Sequence, residues 1–353
     1  MTVIIKITGV AKQKGLGLVE VLVAMAIGLI LLLGLSALFV KSTTTFKAND
    51  DFSRMQENGM FALNSIGNDL RMAGFYGAIA SNDISTPSAI TITNDCGVNW
   101  ATTFTQPLFG FSNLTSATAA ITLPCINSSN FINNAPILVL RGATGIRVLP
   151  ANLDANTLYV QADPNGGIVF KGNAYSAFTA TTKRYVLGAT GVPEEAPIYP
   201  YQARAYYLRP CSRPTGTGGT TCLGTDDATR PMPTLVRQEL AGTTMTEMAL
   251  AEGIEAWRIL YGLDTVNSDG VPDTFIDNPT AVQFPQVVSV RIAVLVRSSK
   301  PTNGYDDSGK RYDLDGDGNF DFACTAGVDC DYHRHVFTQS FQVRNIAQRL
   351  EAN

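Results

Sequence analysis

Histidine is nearly absent: there are two in 353 residues, His333 and His335, in a short stretch that also holds Cys, Asp and Tyr. Neither G-x-S-x-G nor H-E-x-x-H occurs, so nucleophilic or zinc-hydrolase chemistry on familiar lines lacks its base. Acids are more plentiful, but nothing in their spacing singles out a catalytic pair, and no enzyme is expected. Charge is scarce too, at 16% of residues against about a quarter in ordinary domains. It nets −4, with no Lys/Arg block, which excludes a simple basic nucleic-acid binder. The 31 Gly and 17 Pro are close to average, so collagen-like and disordered classes fall away with coiled coils.

Apolar residues are concentrated at one end. Residues 1–15 carry Lys6, Lys12 and Lys14 and no acid. From Val21 to Val40 the chain has no charge and one hydroxyl, Ser36. A helix rises about 1.5 Å per residue, so those residues span a bilayer core. A cleavable secretory signal would have a shorter apolar region and a small-residue cleavage site, and neither is present. A plain anchor leaves Glu20 unexplained. A carboxylate one turn inside an apolar span costs on the order of 3 kcal/mol and marks a function with a partner.

Lys14-Gly15-Leu16-Gly17-Leu18-Val19-Glu20 resembles the class III signal of type IV pilins. That resemblance implies cleavage by a prepilin peptidase between Gly15 and Leu16, N-methylation of Leu16, and retention of the apolar helix as an assembly stem. Leu16 stands where Phe is usual and Gly17 where Thr is usual; the Gly-apolar-x-Leu-x-Glu skeleton is intact. On this reading Glu20 loses its desolvation penalty by pairing with the N-terminal ammonium of a neighbouring subunit.

Beyond the span, Phe52, Met55, Met60, Leu63, Ile66 and Leu70 keep a helical period with polar residues between them. The spacing predicts an amphipathic continuation of the stem, stopping at Gly74. After Gly77 the composition shifts to Thr, Ser, Asn and Gly with short β-prone runs. Strands are expected at Ile137–Arg141, Thr157–Val160, Gly167–Lys171, Arg184–Leu187, Arg204–Leu208, Thr234–Leu240, Gly253–Tyr261, Gln286–Arg297 and His335–Arg344. Val288 to Arg297 alternates as a half-buried antiparallel strand should. Met245–Ala251 reads as the one helical stretch of this region. Segment 212–230 is a Gly-rich loop without the Lys-Ser/Thr of a phosphate-binding loop.

Three blocks resemble the PilW family of minor type IV pilins: LRMAGFYG at 70–77, EGIEAWRILYGLDT at 252–265 followed by NSDGVPD, and VVSVRIAVLVRS at 287–298 with HVFTQSFQVRN at 335–345. The fold expected is α+β, a long N-terminal apolar and amphipathic stem helix packed on a β-rich antiparallel two-sheet domain. Its division is a leader at 1–15, a stem at 16–77 (transmembrane over 16–40) and a β-rich domain at 78–353. The resemblance implies a minor pilin that primes type IV pilus assembly at or near the tip. Its partners would be other minor and major pilins, the prepilin peptidase and the bacterial inner membrane. The N-terminus would be cytoplasmic and the β-rich domain periplasmic, later at the cell surface. The family likeness extends to the J-type minor pseudopilins of type II secretion, which gives one alternative. A membrane-anchored adhesin or ligand-binding module is another.

Six cysteines in an exported chain favour disulfides, and local pairing gives Cys96–Cys125, Cys211–Cys222 and Cys324–Cys330. The competing use of Cys324, Cys330, His333 and His335 as zinc ligands has a spacing unlike the standard fingers. Asp313, Asp315 and Asp317 with Gly318, followed by Asp321, reproduce the front half of an EF-hand-type calcium loop. Cys324 stands where the bidentate Glu belongs, so a weak Ca2+ site and a solvated turn are both open readings. Asp264 to Asp273 is a poorer copy, better read as a turn.

Overall fold

A computed structural model describes residues 15, 17–77, 79, 83–266 and 268–351, with side chains of 348–351 excepted. Leu16, where the cleavage and methylation expectations fall, lies outside the described residues, as does Asn267. The chain divides into two compact units, Met1–Phe52 and Ser53–Asn353.

Helix α1, Leu18–Met72, contributes to both units. In the first unit it is apolar and uncovered, since the 18-residue window most suited to a membrane has none of its residues buried. The hydroxyl of Ser36 donates to the Leu32 carbonyl at 2.8 Å, so the single polar side chain between Val21 and Val40 is satisfied within the helix. That is the condition for a helix to sit in hydrocarbon.

In the second unit the end of α1 joins a β-rich body. The strands are β1 (Ile84–Ser85), β2 (Leu108–Phe111), β3 (Ile137–Ala143), β4 (Leu158–Asp163), β5 (Gly166–Lys171), β6 (Tyr185–Leu187), β7 (Pro193–Glu195), β8 (Ile198–Arg209), β9 (Thr234–Ala241), β10 (Thr244–Glu252), β11 (Ile254–Leu263), β12 (Thr274–Ile276), β13 (Val287–Arg297) and β14 (Arg334–Gln342). One sheet runs β1-β5-β4-β8-β3-β2, with β9 also on β8 and β10 on β9. A second runs β12-β11-β13-β14, and β6 pairs with β7 in a small hairpin. The pairings are antiparallel apart from β1 with β5. Side chains of both large sheets and of α1 share one core that includes Leu63, Ile66, Leu70, Tyr206, Trp257, Val294 and Phe341. The expected α+β architecture is the one found.

Four details differ from expectation. Met245–Ala251 is not helical but lies within β10, which pairs with β9 across the turn at Gly242, whose φ is +63°; hairpin pairing overrides the helix propensity of Met, Ala and Leu. On α1, Phe52 and Met60 are exposed, while Gly59, Ala62 and Gly67 take the inner positions. The rings of Phe337 and Phe341 stand where methyl groups on Gly59 and Gly67 would be, so helix and β14 approach through glycine. The half-buried alternation of β13 holds only at its start, since Ile292–Arg297 is buried throughout. Its second face is covered by Leu314, Tyr312 and Phe322 from the long segment 298–333. The last strand ends at Gln342, and Arg344 opens a further helix, Arg344–Glu351.

Candidate functional site

The stem's first turn is built on Gly17. Its carbonyl accepts from Glu20 N at 3.0 Å and from Val21 N at 3.2 Å, and Glu20 lies in the first turn of α1. A carboxylate there faces the positive end of the helix dipole. Glu20 is exposed within its unit, as are Leu18, Val19, Val21 and Leu22. An acid so placed is available to a cation arriving from outside the chain.

The stem's far end is fastened to the β-rich body through the segment 70–77. Gly74 N donates to Arg141 O at 2.9 Å and Ala143 N to Phe75 O at 2.7 Å, which sets this segment beside β3. The Met72 carbonyl occupies the space a side chain at Gly142 would need. Asn345 Nδ2 donates to Arg71 O at 2.9 Å and Ala73 O at 3.2 Å, satisfying carbonyls that a helix end leaves open. Asp69 accepts from Arg204 and Tyr206 of β8. Helix end, the first sheet and the C-terminal segment thus meet at one junction.

The cysteines are joined as Cys96–Cys125, Cys211–Cys222 and Cys324–Cys330. The third bond closes a loop beside a buried charge network that the sequence did not announce. Arg334 of β14 donates through Nε to Glu255 at 2.5 Å, through Nη1 to Asp307 at 3.2 Å and through Nη2 to Asp329 Oδ2 at 3.2 Å. Arg297 of β13 reaches Glu255 at 3.3 Å and the Pro231 carbonyl at 2.6 Å. Asp307 is wholly buried and also accepts from Tyr305 and Tyr312, each at 2.8 Å. Burial alone would raise its pKa, but donation from Tyr305, Tyr312 and Lys310 holds this carboxyl below its ordinary range. The network ties segment 298–333 to the second sheet. Opposite charges at strand ends, Glu255 against Arg297 and Arg334, were its one trace in the sequence.

Within that segment Asp313, Asp315 and Asp317 each bring a carboxylate oxygen within 4.8 Å of the others. Asp313 accepts from Gly316 N at 2.6 Å and Gly318 N at 2.9 Å, and both glycines have positive φ, +82° and +86°, which lets the loop curl. Asp321 is not in the group: it accepts from Arg258 Nε at 2.5 Å and from Leu314 N at 2.7 Å. Burial and the nearby Asp321 and Asp317 charges raise the pKa of Asp315. The three carboxylates fit the front half of a calcium loop, and a full shell would need carbonyls and water besides. Asp264 instead caps its own turn, accepting from Ser268 N at 3.0 Å and Gly270 N at 2.8 Å.

Comparison with known proteins gives two sequence matches. Residues 10–36 match the prokaryotic N-terminal methylation motif, and residues 221–345 match the family described as Type IV Pilus-assembly protein W. Among solved structures, a type IV-like pilin from Thermus thermophilus aligns over 54% of this chain and 83% of its own, at 10% identity and a TM-score of 0.22. No curated protein matches. The PilW match spans β9 to β14, the Arg334 network and the Asp313–Asp317 loop. The chain is thus similar to the methylation motif over residues 10–36 and to the PilW family over residues 221–345.

Proposed function

We propose that the protein is a non-catalytic minor pilin that helps prime type IV pilus assembly, at or near the tip, alongside other minor pilins. The carrying observation is the pairing of an uncovered apolar helix with a carboxylate, Glu20, in its first turn. A prepilin peptidase cleaves after Gly15 and methylates the amine of Leu16. The span 16–40 then waits in the inner membrane, its N-terminus cytoplasmic and the β-rich domain periplasmic. Moving such a stem from lipid into a bundle of like stems changes little hydrophobic free energy, because both surroundings are apolar. Glu20, paired with a neighbour's N-terminal ammonium, supplies the register. Weak Ca2+ binding at Asp313, Asp315 and Asp317 completes the reading.

Mass spectrometry of the protein extracted from the envelope tests the first step: a mature chain beginning at methylated Leu16 is expected, and a retained Met1 overturns it. Glu20→Ala tests the second. The variant should insert and fold as the wild type does while filament number drops, and unchanged piliation removes Glu20 from the mechanism. Loss of type II secretion with normal piliation, on deleting the gene, would assign the protein to the secretion machine.

A further inference from the structure

Three loops of the β-rich body converge on an open cleft of about 310 Å³, at the small end of the range for ligand sites. Arg230 comes from the connection between β8 and β9, Tyr305 and Asp306 from the start of segment 298–333, and Val328 and Asp331 from its end. Each loop has its own brace. Asp227, Ala228 and Thr229, just before Arg230, all have positive φ, from +50° to +68°, a costly conformation for three consecutive residues that are not glycine. The Asp227 carboxylate holds them, accepting from Ser212 N at 2.9 Å, Ser212 Oγ at 2.7 Å and Met232 N at 2.8 Å. Tyr305 stands on His333 with ring centroids 3.8 Å apart, and its hydroxyl donates to the buried Asp307. The Cys324–Cys330 disulfide and a bond from Thr325 N to Asp329 at 2.7 Å close the third loop. Strain of this kind gathers where a ligand is held.

The charged lining is two carboxylates, Asp306 and Asp331, against one guanidinium, Arg230, so the cleft favours a cation over an anion. Lys310, beyond Tyr305, is committed to Asp307 at 3.0 Å. Asp331 Oδ2 accepts from Arg230 Nη1 at 2.8 Å, whereas its Oδ1, shielded from water, meets no donor among the described residues. A shielded acceptor left unmet is costly. The Arg230 side chain is 47% exposed, so its pairing is weak and readily exchanged. Once it turns away, rotation about the last torsion of Asp331, which is broad, presents either oxygen to the cleft. Val328, Ala326 and the Tyr305 ring supply an apolar wall beside these acids.

We propose that this cleft binds a small aliphatic primary ammonium, whose charged end replaces Arg230 on Asp331 and whose stem lies against Val328 and Tyr305. Arg230 is then a built-in competitor: it neutralises Asp331 until a ligand with N–H donors arrives. The site belongs to the β-rich body and depends on neither the stem nor the minor-pilin assignment.

Calorimetry on the full-length chain in detergent tests it, with n-propylamine, protonated at neutral pH, against n-propanol. The two probes differ only in an ammonium for a hydroxyl. The amine should bind at millimolar concentration and the alcohol should not. Asp331→Asn should abolish the heat; it keeps the bond from Thr302 N, which runs to the main-chain carbonyl. Arg230→Gln should instead tighten binding by up to about fivefold, the worth of one exposed ion pair. Opposite responses from the two halves of one ion pair separate ligand competition from a merely structural bridge. Asp317→Asn should change nothing, since Asp313, Asp315 and Asp317 form a separate acidic group. No heat from the amine, equal heat from the alcohol, or binding that Arg230→Gln fails to tighten overturns the proposal. So does a response kept in Asp331→Asn and lost in Asp317→Asn.

Discussion

Gly67 and Phe341 occupy complementary halves of one contact: the phenyl ring fills the space where any side chain on Gly67 would begin. Gly59 and Phe337 repeat the arrangement two turns earlier, with a ring carbon 2.6 Å from the position of a Cβ on Gly59. Glycine inside a helix costs about 1 kcal/mol against alanine. Two of them on the inner face of α1 are therefore tolerated for the closeness they allow.

Gly67→Ala should accordingly destabilise the β-rich unit even though it raises helix propensity. Overpacking costs typically 1–3 kcal/mol against the gain of about 1 kcal/mol, so a net loss of about 1 kcal/mol is expected. Adding Phe341→Leu should recover part of it, because the two changes share one volume. Chemical denaturation of the four proteins of this cycle measures it. Strictly additive losses would show that Gly67 does not owe its place to the ring.

Which features were legible in the sequence follows from the range of the interactions behind them. The stem was readable because hydropathy and the Gly15–Glu20 spacing are local, and β13 was readable because Val288 to Val296 alternates on its own. The fate of Met245–Ala251 depended on β9, and the fully buried end of β13 depended on a segment arriving from residues 312–322. Gly59 and Gly67 carried no signal as core residues, since their role exists only once Phe337 and Phe341 arrive from nearly three hundred positions away. At the acidic loop, spacing foretold the grouping of Asp313, Asp315 and Asp317, and it could not show that Arg258 would occupy Asp321.

Acid should loosen the attachment of segment 298–333 through Asp307. Its carboxyl titrates below the ordinary range in the folded protein, so folding favours the ionised form. That contribution is complete above the unfolded value, about 3.9, and is lost as pH falls through the folded one. Asp307→Asn keeps the size but weakens bonds to Tyr305, Tyr312, Lys310 and Arg334. Bonds to a charged group contribute about 1.5–3 kcal/mol, so a loss of that order is expected at pH 7. Guanidinium unfolding of both proteins as a function of pH checks it: the gap should close as pH drops below about 4, and a constant gap would locate the effect in packing.

Calcium and protons should compete at Asp315. Its neighbours Asp317 and Asp321, together with burial, disfavour its charge, and a cation seated among Asp313, Asp315 and Asp317 would reverse that preference. Affinity should therefore strengthen as pH rises through the elevated pKa of Asp315 and then level off. With three carboxylates and no bidentate Glu, a dissociation constant of about 10⁻⁴–10⁻³ M is expected, the range of weak extracellular sites. Titration calorimetry with Ca2+ at several pH values measures both quantities. Asp317→Asn should weaken binding without altering the fold, because this carboxylate bonds to Asn319 and Asp315 of its own loop. Absence of heat at millimolar Ca2+ would leave the loop as a turn that curls on Gly316 and Gly318 and needs no cation.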